Sequence, residues 1–329
     1  MKYDFITIGG ATEDITVYTR EGMIIDNKGD ILKQKLLAFE YGAKLKVDRA
    51  YSTYGGGAAN AALCLSKLKF HVAALVALGR DNRGDRIIDN FRRHKVDIRL
   101  AQRYKGHDSG FSFLLVGQSN EHVVFSNRAA NNKLTVGVNE LRQLDQAGWL
   151  YVTSLSGEWK KVLDNVFKSK AKVAWNPGHI QLHTGVIGIG KYLKKTGILI
   201  VNKDEALELV VSSPDFSETD RRKLDSVKHL LKFLKEKGPE IAVITNGRFG
   251  ADAYDGREFY HQNILKEKKR VDTTGVGDAF GSTFTAGLII AKGNIRKAMK
   301  MSVKNTASVI SQQGAQNGLL SKNAILQGI

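Results

Sequence analysis

The sequence predicts an α/β fold in which a mainly parallel β-sheet is flanked by helices and carries a small β-sheet lid. Strand-like apolar runs recur at residues 4–9, 72–78, 149–153, 172–175, 197–201 and 240–245. Helical patterns separate most of these runs, and this alternation is typical of parallel sheets covered by helices. Polar, glycine-rich turns follow several of the runs, at the strand ends where ligands bind in such sheets.

The whole chain, residues 1–329, is predicted to form a single domain. We find no internal repeat, low-complexity segment or proline-rich linker to mark a boundary. Apolar residues make up 42% of the chain and charged residues 25%, as in ordinary globular proteins. The single cysteine, Cys64, allows no internal disulfide, and the apolar runs are far shorter than the about 20 residues of a membrane span. We therefore expect a cytoplasmic protein that does not insert into membranes.

The chain is strongly basic, with 50 Lys and Arg against 33 Asp and Glu, a formal net charge of +17. Such an excess is compatible with nucleic-acid binding. However, the basic residues are spread over several helical segments and are not interleaved with aromatic residues. This distribution favours a solvated basic surface that attracts anionic substrates or nucleotides. Nucleic-acid binding has the net charge as its only support.

The first predicted strand, residues 4–9, is followed by Thr12-Glu13-Asp14. In an open parallel sheet, ligands bind at the carboxyl ends of the strands. Because an ionised carboxylate can accept two O–H hydrogen bonds at once, Asp14 is a candidate for binding sugar hydroxyls. The alternative is an ordinary turn carboxylate.

Residues 15–54 and 100–126 are predicted to form the lid. The first segment has short polar alternation interrupted by glycines, which is more typical of small antiparallel strands than of strand–helix–strand units. In the second segment, residues 110–116 and 122–126 have the pattern of a hairpin that completes the same small sheet. We interpret both segments as an insertion in the α/β core.

Three consecutive glycines precede a predicted helix that runs to about Leu68. Gly55, Gly56 and Gly57 have no Cβ, so the main chain can approach a ligand closely at this point. Asn60 lies one turn into the helix, and its side chain can both donate and accept hydrogen bonds. The start of this helix is therefore a candidate ligand-contact region.

Asn202 and Glu205 follow the apolar strand at 197–201 and lie on one face of a helix start. A carboxylate in this position can orient the waters around a magnesium ion carried by nucleotide phosphates. The alternative is a capping box, in which Asn202 is the N-cap and Glu205 follows three residues later. The spacing alone does not decide between them.

Two later segments are candidates for nucleotide contacts. The strand at 240–245 runs into a glycine turn with Thr245, Gly247 and Gly250, which is suited to the edge of a nucleotide. Residues 300–312 are predicted to form a helix that carries Asn305.

The most informative stretch is Asp272-Thr273-Thr274-Gly275-Val276-Gly277-Asp278-Ala279-Phe280. Its two glycines leave the main chain uncovered, so successive N–H groups can point at one anion, and the predicted helix that follows adds its positive end. Asp278 places a carboxylate beside this anion site, where it can accept a proton from a hydroxyl that attacks a phosphoryl group. The alternative for Asp278 is a helix N-cap.

The order of these elements resembles the ribokinase-like (phosphofructokinase B) family of carbohydrate and nucleoside kinases. The resemblance rests on a Gly-Gly-x-x-x-Asn element, a later Asn-x-x-Glu, a Thr-x-Gly turn and a closing Asp-Thr-x-Gly-x-Gly-Asp. It runs from Gly9 to Gly314, and the closing motif is its most specific part. The fold implied is a Rossmann-like α/β domain with a small β-sheet lid.

The resemblance also implies a role for each candidate residue. Asp278 would be the catalytic base. The anion hole for the transferring phosphoryl group would be formed by the N–H groups of Gly275, Val276 and Gly277. The acceptor would be bound by Asp14, Gly56, Gly57 and Asn60. The nucleotide would be bound by Asn202, Glu205, Thr245, Gly247, Gly250 and Asn305, with Glu205 serving Mg²⁺ through water. Asp272 and Thr274 match positions that bind a monovalent cation such as K⁺ in some members.

The activity implied is ATP- and Mg²⁺-dependent phosphorylation of a hydroxyl on a sugar or sugar derivative, by direct in-line transfer. One alternative is a nucleoside kinase of the adenosine or cytidine type, in which lid aromatics form a slot for the base. The candidate aromatics are Phe39, Tyr41, Phe111 and Phe113. Another alternative is a non-catalytic relative that binds a nucleotide or sugar. Pairing of lid edges would make the protein a homodimer.

Overall fold

The computed structural model describes residues 2–27, 35–117, 122–265 and 269–329. Parts of the predicted lid, residues 28–34 and 118–121, lie outside the described residues. The strands are β1 (Tyr3–Ile8), β2 (Thr12–Tyr18), β3 (Met23–Asp26), β4 (Lys35–Ala38), β5 (Arg49–Gly55), β6 (Val72–Leu75), β7 (Ala77–Gly79), β8 (Gln102–Tyr104), β9 (Phe111–Val116), β10 (His122–Asn127), β11 (Ala147–Val152), β12 (Lys172–Trp175), β13 (Ile198–Asn202), β14 (Ile241–Thr245), β15 (Ala251–Tyr254) and β16 (Phe259–Gln262).

The α-helices are α1 (Gly57–Lys67), α2 (Asn82–Arg93), α3 (Val138–Leu144), α4 (Trp159–Val166), α5 (His179–Leu182), α6 (Gly185–Leu193), α7 (Lys203–Val211), α8 (Glu218–Arg221), α9 (Val227–Glu236), α10 (Val276–Ile290), α11 (Ile295–Ile310) and α12 (Lys322–Leu326). Short 3-10 helices span Ala129–Lys133 and Gly247–Phe249. Within the described ranges, no helix is long and apolar enough to cross a bilayer.

The large sheet of the described chain has the strand order β16-β15-β14-β13-β12-β11-β1-β6. Every neighbouring pair from β14 to β6 is parallel. At the other edge, β15 is antiparallel to β14, and β16 is antiparallel to β15. The predicted α/β class with a mainly parallel sheet is thereby confirmed. The predicted strand at 72–78 is divided, because β7 leaves the sheet and pairs with β8. Residues 102–104, predicted as lid, therefore belong to this separate pair.

The core lies on both faces of the large sheet, because successive residues of a strand point to opposite sides. In β1, Ile6 and Ile8 pack with residues of α3 to α7 and α9, while Phe5 packs on the other face with α1 and α2. In β11, Val152 belongs to the first cluster, and Tyr151 packs with α10 and α11. The helices thus sandwich the sheet, and each buried large side chain contributes roughly 1.5–3 kcal/mol through apolar burial.

A second sheet, in the order β10-β9-β2-β5, is built from segments predicted to form the lid. β2 is antiparallel to β5 and parallel to β9, and β9 forms the predicted hairpin with β10. β2 begins at Thr12, so Asp14 lies within a strand and not in a turn. Because only three residues separate β1 from β2, the small sheet is joined directly to the carboxyl edge of the large one.

Candidate active site

The order of the large sheet creates a crevice beside β1. From β1 the chain first adds β6 on one side, and the later strands extend from β11 on the other. In open α/β sheets such a switch point leaves a crevice outside the carboxyl ends of the strands, where ligands bind. Gly9 follows β1 and Thr153 follows β11, and a Cβ at Gly9 would overlap Oγ1 of Thr153. The crevice therefore opens where the two strand ends meet.

The start of α1 is the first wall of this crevice. Gly56 has a φ of 88°, in the left-handed region, and a Cβ there would lie 2.6 Å from Cα of Ala11. A Cβ at Gly57 would lie 2.9 Å from the Thr153 side chain and 3.1 Å from Oδ1 of Asp278. Glycine at both positions thus lets the main chain of α1 pass between the strand ends and the Asp278 carboxylate.

The turn before α10 is the second wall. Gly275 is the N-cap of this 15-residue helix and has a φ of 73°, a left-handed conformation that favours glycine. No described acceptor is hydrogen-bonded to the N–H groups of Gly275 and Gly277. They remain open at the positive end of the helix, and this arrangement can bind an anion.

Asp278 is fixed by a chain of buried amides. Nδ2 of Asn60 donates to Oδ2 of Asp278 at 2.8 Å. Oδ1 of Asn60 accepts from Nε2 of Gln316 at 2.9 Å, and Oε1 of Gln316 accepts from Nδ2 of Asn90 at 2.9 Å. Each donation orients the next amide, so the NH₂ group of Asn60 faces the carboxylate. Asp278 is a residue of α10 with its carboxylate held from α1, not an N-cap.

Burial raises the pKa of Asp278 to about 6. The hydrogen bond from Asn60 acts in the opposite direction, and the nearby carboxylate of Asp14 adds to the increase. A carboxyl group with a pKa near the working pH suits a general base, because it is ionised at neutral pH and still has appreciable basicity.

Alternation along β2 sends its two adjacent carboxylates to different surroundings. Glu13 accepts hydrogen bonds from Arg83 at 2.9 Å, Arg86 at 2.8 Å and Ser52 at 2.7 Å. Burial by itself would raise the pKa of Glu13, but these hydrogen bonds and the charge of Arg86 lower it overall. Glu13 is therefore an ionised structural anchor for α2. Asp14, with its side chain on the other face of the strand, takes no part in these contacts and is available to a ligand.

Asp14 lines a small cavity of about 190 Å³ between the small sheet and the motif turn. The other lining residues are Ser112, Leu114, Val124, Thr273 and Thr274. Burial raises the pKa of Asp14, and hydrogen bonds from Thr12 and Ser112 partly offset the increase. The cavity thus presents hydroxyl and carboxylate groups, which are suited to the hydroxyls of a polyol.

A second cavity, of about 250 Å³, lies on the other side of the motif turn. Of the predicted residues, it brings together Thr245, Gly247, Gly250, Val276 and Gly277. The remaining lining residues are Arg248, Ile264, Leu265, Arg270, Thr273, Phe280, Val303, Thr306, Ala307 and Ile310. Its apolar walls suit a flat ring, and its two arginines suit phosphates. Thr273 lines both cavities, so the turn separates them.

The capping-box interpretation of Asn202 and Glu205 is realised in the structure. Oδ1 of Asn202 accepts from the Glu205 N–H, and Oε2 of Glu205 accepts from the Asn202 N–H, both at 2.8 Å. This does not remove Glu205 from the magnesium hypothesis, because no described residue is hydrogen-bonded to its Oε1. Asn202 lies opposite Thr245 in the pairing of β13 with β14, although neither capping residue lines the second cavity.

The structure does not bring Asn305 to the second cavity. On α11 the cavity is lined by Val303, Thr306, Ala307 and Ile310, the spacing of a single helix face. Asn305 lies off this face and is fully buried. Its Nδ2 donates to Oγ1 of Thr283 at 2.8 Å, and its Oδ1 accepts from the Leu320 N–H at 2.9 Å. Asn305 is therefore separated from the other residues that were predicted to contact the nucleotide.

Asp272 joins two loops. Its Oδ1 accepts from the Thr274 N–H at 2.8 Å and its Oδ2 from the Gly314 N–H at 2.9 Å. The carboxylate oxygens retain lone pairs that are compatible with a cation, and Thr274 lies in the same turn.

Besides the further residues that line the two cavities, sequence reasoning missed Ser112, Thr153, Asn90 and Gln316, which the structure places at the site. Thr153 had a signal, since it follows an apolar strand at the edge where ligands bind. Ser112 lies in a strand whose facing direction was unknown from sequence. The two amides had no local signal, because they act through contacts distant in the chain.

Comparison with known proteins adds a family and a fold. A model described as pfkB family carbohydrate kinase matches residues 28–323. An ATP-dependent 6-phosphofructokinase of Thermoanaerobacterium thermosaccharolyticum is 23% identical over 333 residues, which cover 95% of this chain and 90% of that protein. Arabidopsis thaliana ribokinase complexed with ribose and ATP superposes with a TM-score of 0.80 at 17% identity, covering 99% of this chain and 98% of the other. A Burkholderia thailandensis nucleoside kinase in complex with inosine gives 0.77 at 15%, covering 98% and 96%.

Proposed function

Because this chain belongs to the pfkB family of carbohydrate kinases, we propose that it transfers the γ-phosphoryl group of ATP to a hydroxyl of an uncharged sugar or sugar derivative. The observation that carries the proposal is the pair of cavities that share Thr273 on either side of the motif turn. A donor in the larger cavity and an acceptor in the smaller one would meet at the open N–H groups and at Asp278.

The proposed mechanism is direct in-line transfer without a phosphoenzyme. Asp278 accepts the proton of the attacking hydroxyl, while the open N–H groups of Gly275 and Gly277 stabilise the charge on the transferring phosphoryl oxygens. The Val276 N–H, which donates to the Thr273 carbonyl at 3.4 Å, would join them by turning from that carbonyl to the phosphoryl group. Asp14 accepts hydrogen bonds from other hydroxyls of the acceptor and so orients it. The small sheet supplies Ser112, so it acts as a lid that positions the acceptor and excludes water.

The proposed reaction also involves Mg²⁺ and a monovalent cation. Mg²⁺ would neutralise the phosphates of the donor, and Oε1 of Glu205 would orient its water shell. Burial raises the pKa of Glu205, and the hydrogen bond from the Asn202 N–H acts against this increase. A nearby cation would lower the pKa further and so favour the ionised form. A monovalent cation would be held by Asp272 and Thr274, where the carboxylate already joins the two loops.

A sugar acceptor is favoured over a nucleoside by the direction of Phe111 and Phe113, two of the four candidate lid aromatics. Ser112 and Leu114 face the acceptor cavity, so Phe111 and Phe113 point to the opposite side of β9. There Phe111 packs 4.7 Å from the Arg83 guanidinium, and Phe113 lies 6.0 Å from Phe125. Among the described residues, the cavity wall has no aromatic slot for a base and no basic group for a phosphorylated acceptor.

The direct test is ADP release with ATP and Mg²⁺ over a panel of neutral sugars, sugar phosphates and nucleosides. We expect a neutral sugar to give a kcat/KM at least about tenfold above the best member of the other two groups. A sugar phosphate or nucleoside as the preferred acceptor would overturn the acceptor assignment. ATP binding without turnover for any acceptor class would overturn the transfer itself.

A second test follows from the pKa of Asp278. We expect kcat/KM for the acceptor to fall with one protonation as the pH decreases through about 6, because the protonated carboxyl cannot act as a base. In Asn60→Leu, the acid limb should move to higher pH, since the lost hydrogen bond stabilised the ionised form. The control is Asn139→Leu, at an exposed position on α3, and its acid limb in the pH profile of kcat/KM should coincide with that of the wild type. An Asn60→Leu profile that overlays the wild type would contradict this coupling.

A further inference from the structure

A third cavity, of about 420 Å³, lies away from the two cavities that flank the motif turn. It is formed by β5, the carboxyl ends of α1 and α2, and the loop that contains Gln316. Its volume falls within the range of about 300–1,000 Å³ that is typical of small-molecule sites. The proposed donor and acceptor do not use it.

The charge of this cavity is one-sided. Lys67, Arg93 and His94 line it, and none of the described lining residues is acidic. Arg93 has no hydrogen-bond or ion-pair partner among the described residues. Within the described part of the chain, Nζ of Lys67 donates only to the Leu319 carbonyl, at 3.0 Å. Burial lowers the pKa of this lysine. Lys67 is half-buried and Arg93 is exposed, and a pair of cations that lacks a counter-charge in this way is stabilised by an anion.

The cavity also contacts the catalytic machinery. Asn90 and Gln316 line it, and both belong to the amide chain that ends at Asp278. The NH₂ group of Gln316 has two hydrogens, and one of them donates to Asn60. An anion that draws the NH₂ group of Gln316 toward the cavity weakens its hold on Asn60, and Asn60 in turn orients Asp278.

From these observations we propose that the third cavity is a regulatory site for a phosphate group, carried by a small molecule or present as free phosphate, and that its occupation slows phosphoryl transfer through Gln316 and Asn60. Arg93, near the carboxyl end of α2, provides the charge-assisted contact with the phosphate oxygens. The binding step is independent of the proposed function, whereas the effect on rate rests on it.

Binding is tested by calorimetry with inorganic phosphate at constant ionic strength, in the presence of a non-hydrolysable ATP analogue that occupies the motif turn. Arg93→Gln is compared with Arg92→Gln, the adjacent arginine, which pairs with Asp89 at 3.0 Å. We expect Arg93→Gln to weaken phosphate binding at least about tenfold, as loss of one charge-assisted hydrogen bond does, and Arg92→Gln to bind as wild type. Equal binding by all three proteins would overturn the site.

The effect on rate is tested by measuring kcat of the same proteins with ATP and the preferred acceptor, with and without phosphate. We expect phosphate to lower kcat in the wild type and Arg92→Gln, without competition with ATP, and to leave Arg93→Gln unaffected. Phosphate that binds at Arg93 without changing kcat would overturn the coupling to Asp278. Running AMP and a hexose phosphate beside inorganic phosphate distinguishes the source, because the physiological carrier should bind more tightly than the free ion.

Discussion

Asp278→Asn is expected to lower kcat by about 10²- to 10⁴-fold, the range lost with a general base. The variant keeps the size of the side chain, and its amide oxygen can still accept from Nδ2 of Asn60. The loss therefore reports the missing base and not a displaced helix. The measurement is steady-state kcat with the preferred acceptor at saturating ATP and Mg²⁺.

The matched control is Asp89→Asn, at an exposed position on α2 where the carboxylate pairs with Arg92 at 3.0 Å. Its kcat should equal that of the wild type. If Asp278→Asn retained the wild-type kcat, Asp278 would not be the base, and the hydroxyl would lose its proton by another route.

The same substitution should raise the thermal stability at neutral pH. The pKa of Asp278 is about 6 in the folded protein against a usual value of 3.8, so the folded state binds this proton more tightly than the unfolded state. Stability therefore falls as the pH rises from about 4 to 6, and the loss is complete above 6. We expect the Tm of Asp278→Asn to exceed that of the wild type at pH 7.5 and to approach it at pH 4. A Tm difference that is the same at both values would contradict the raised pKa.

Apolar patterning predicted the large sheet well because parallel strands are buried on both faces and read as continuous apolar runs. It predicted the small sheet less completely. The sequence left open whether Asp14 belongs to a turn, since that depended on where β2 begins. Once Thr12 is known to start the strand, alternation alone separates Glu13 from Asp14.

The candidate site was predictable where its groups follow one another in a contiguous stretch of the chain. Gly275 and Asp278 could be interpreted together because a left-handed turn, open N–H groups and a carboxylate follow one another in the chain. The amide chain could not be predicted from the sequence, because its hydrogen bonds join residues that are 218, 256 and 226 positions apart. The position of Asn305 outside the second cavity was not predictable for a related reason. Helix α11 presents one face to the core and another to a cavity, and a single polar residue does not indicate which face it is on.

Gly275→Ala should produce the second large effect, on both stability and kcat. A left-handed φ of 73° costs a residue with a Cβ roughly 1–2 kcal/mol. The new Cβ would also overlap the Cβ of buried Ala315 and lie 3.4 Å from Nδ2 of Asn60. The turn must shift, and the N–H groups that form the proposed anion hole shift with it. We expect kcat to fall by about 10²- to 10³-fold, as when an oxyanion donor is removed.

Gly293→Ala separates conformational strain from steric overlap. Gly293 has a φ of 86° in the connection from α10 to α11, and a Cβ there would meet no atom within 4 Å. This variant should lose stability in chemical denaturation but keep the wild-type kcat. Gly275→Ala should be less stable than Gly293→Ala by about 1–3 kcal/mol, the usual cost of overpacking.

Adding Ala315→Gly to Gly275→Ala removes the overlapping Cβ while leaving the left-handed strain. The double variant should therefore recover part of the lost stability, and it should recover kcat only to the extent that the turn returns to its place. Cα of residue 315 remains 2.9 Å from the new Cβ, so full recovery is not expected. If Gly275→Ala alone kept the wild-type kcat, the position of these N–H groups would not limit the reaction. The anion would then have to be stabilised by Arg248 and Arg270 of the second cavity.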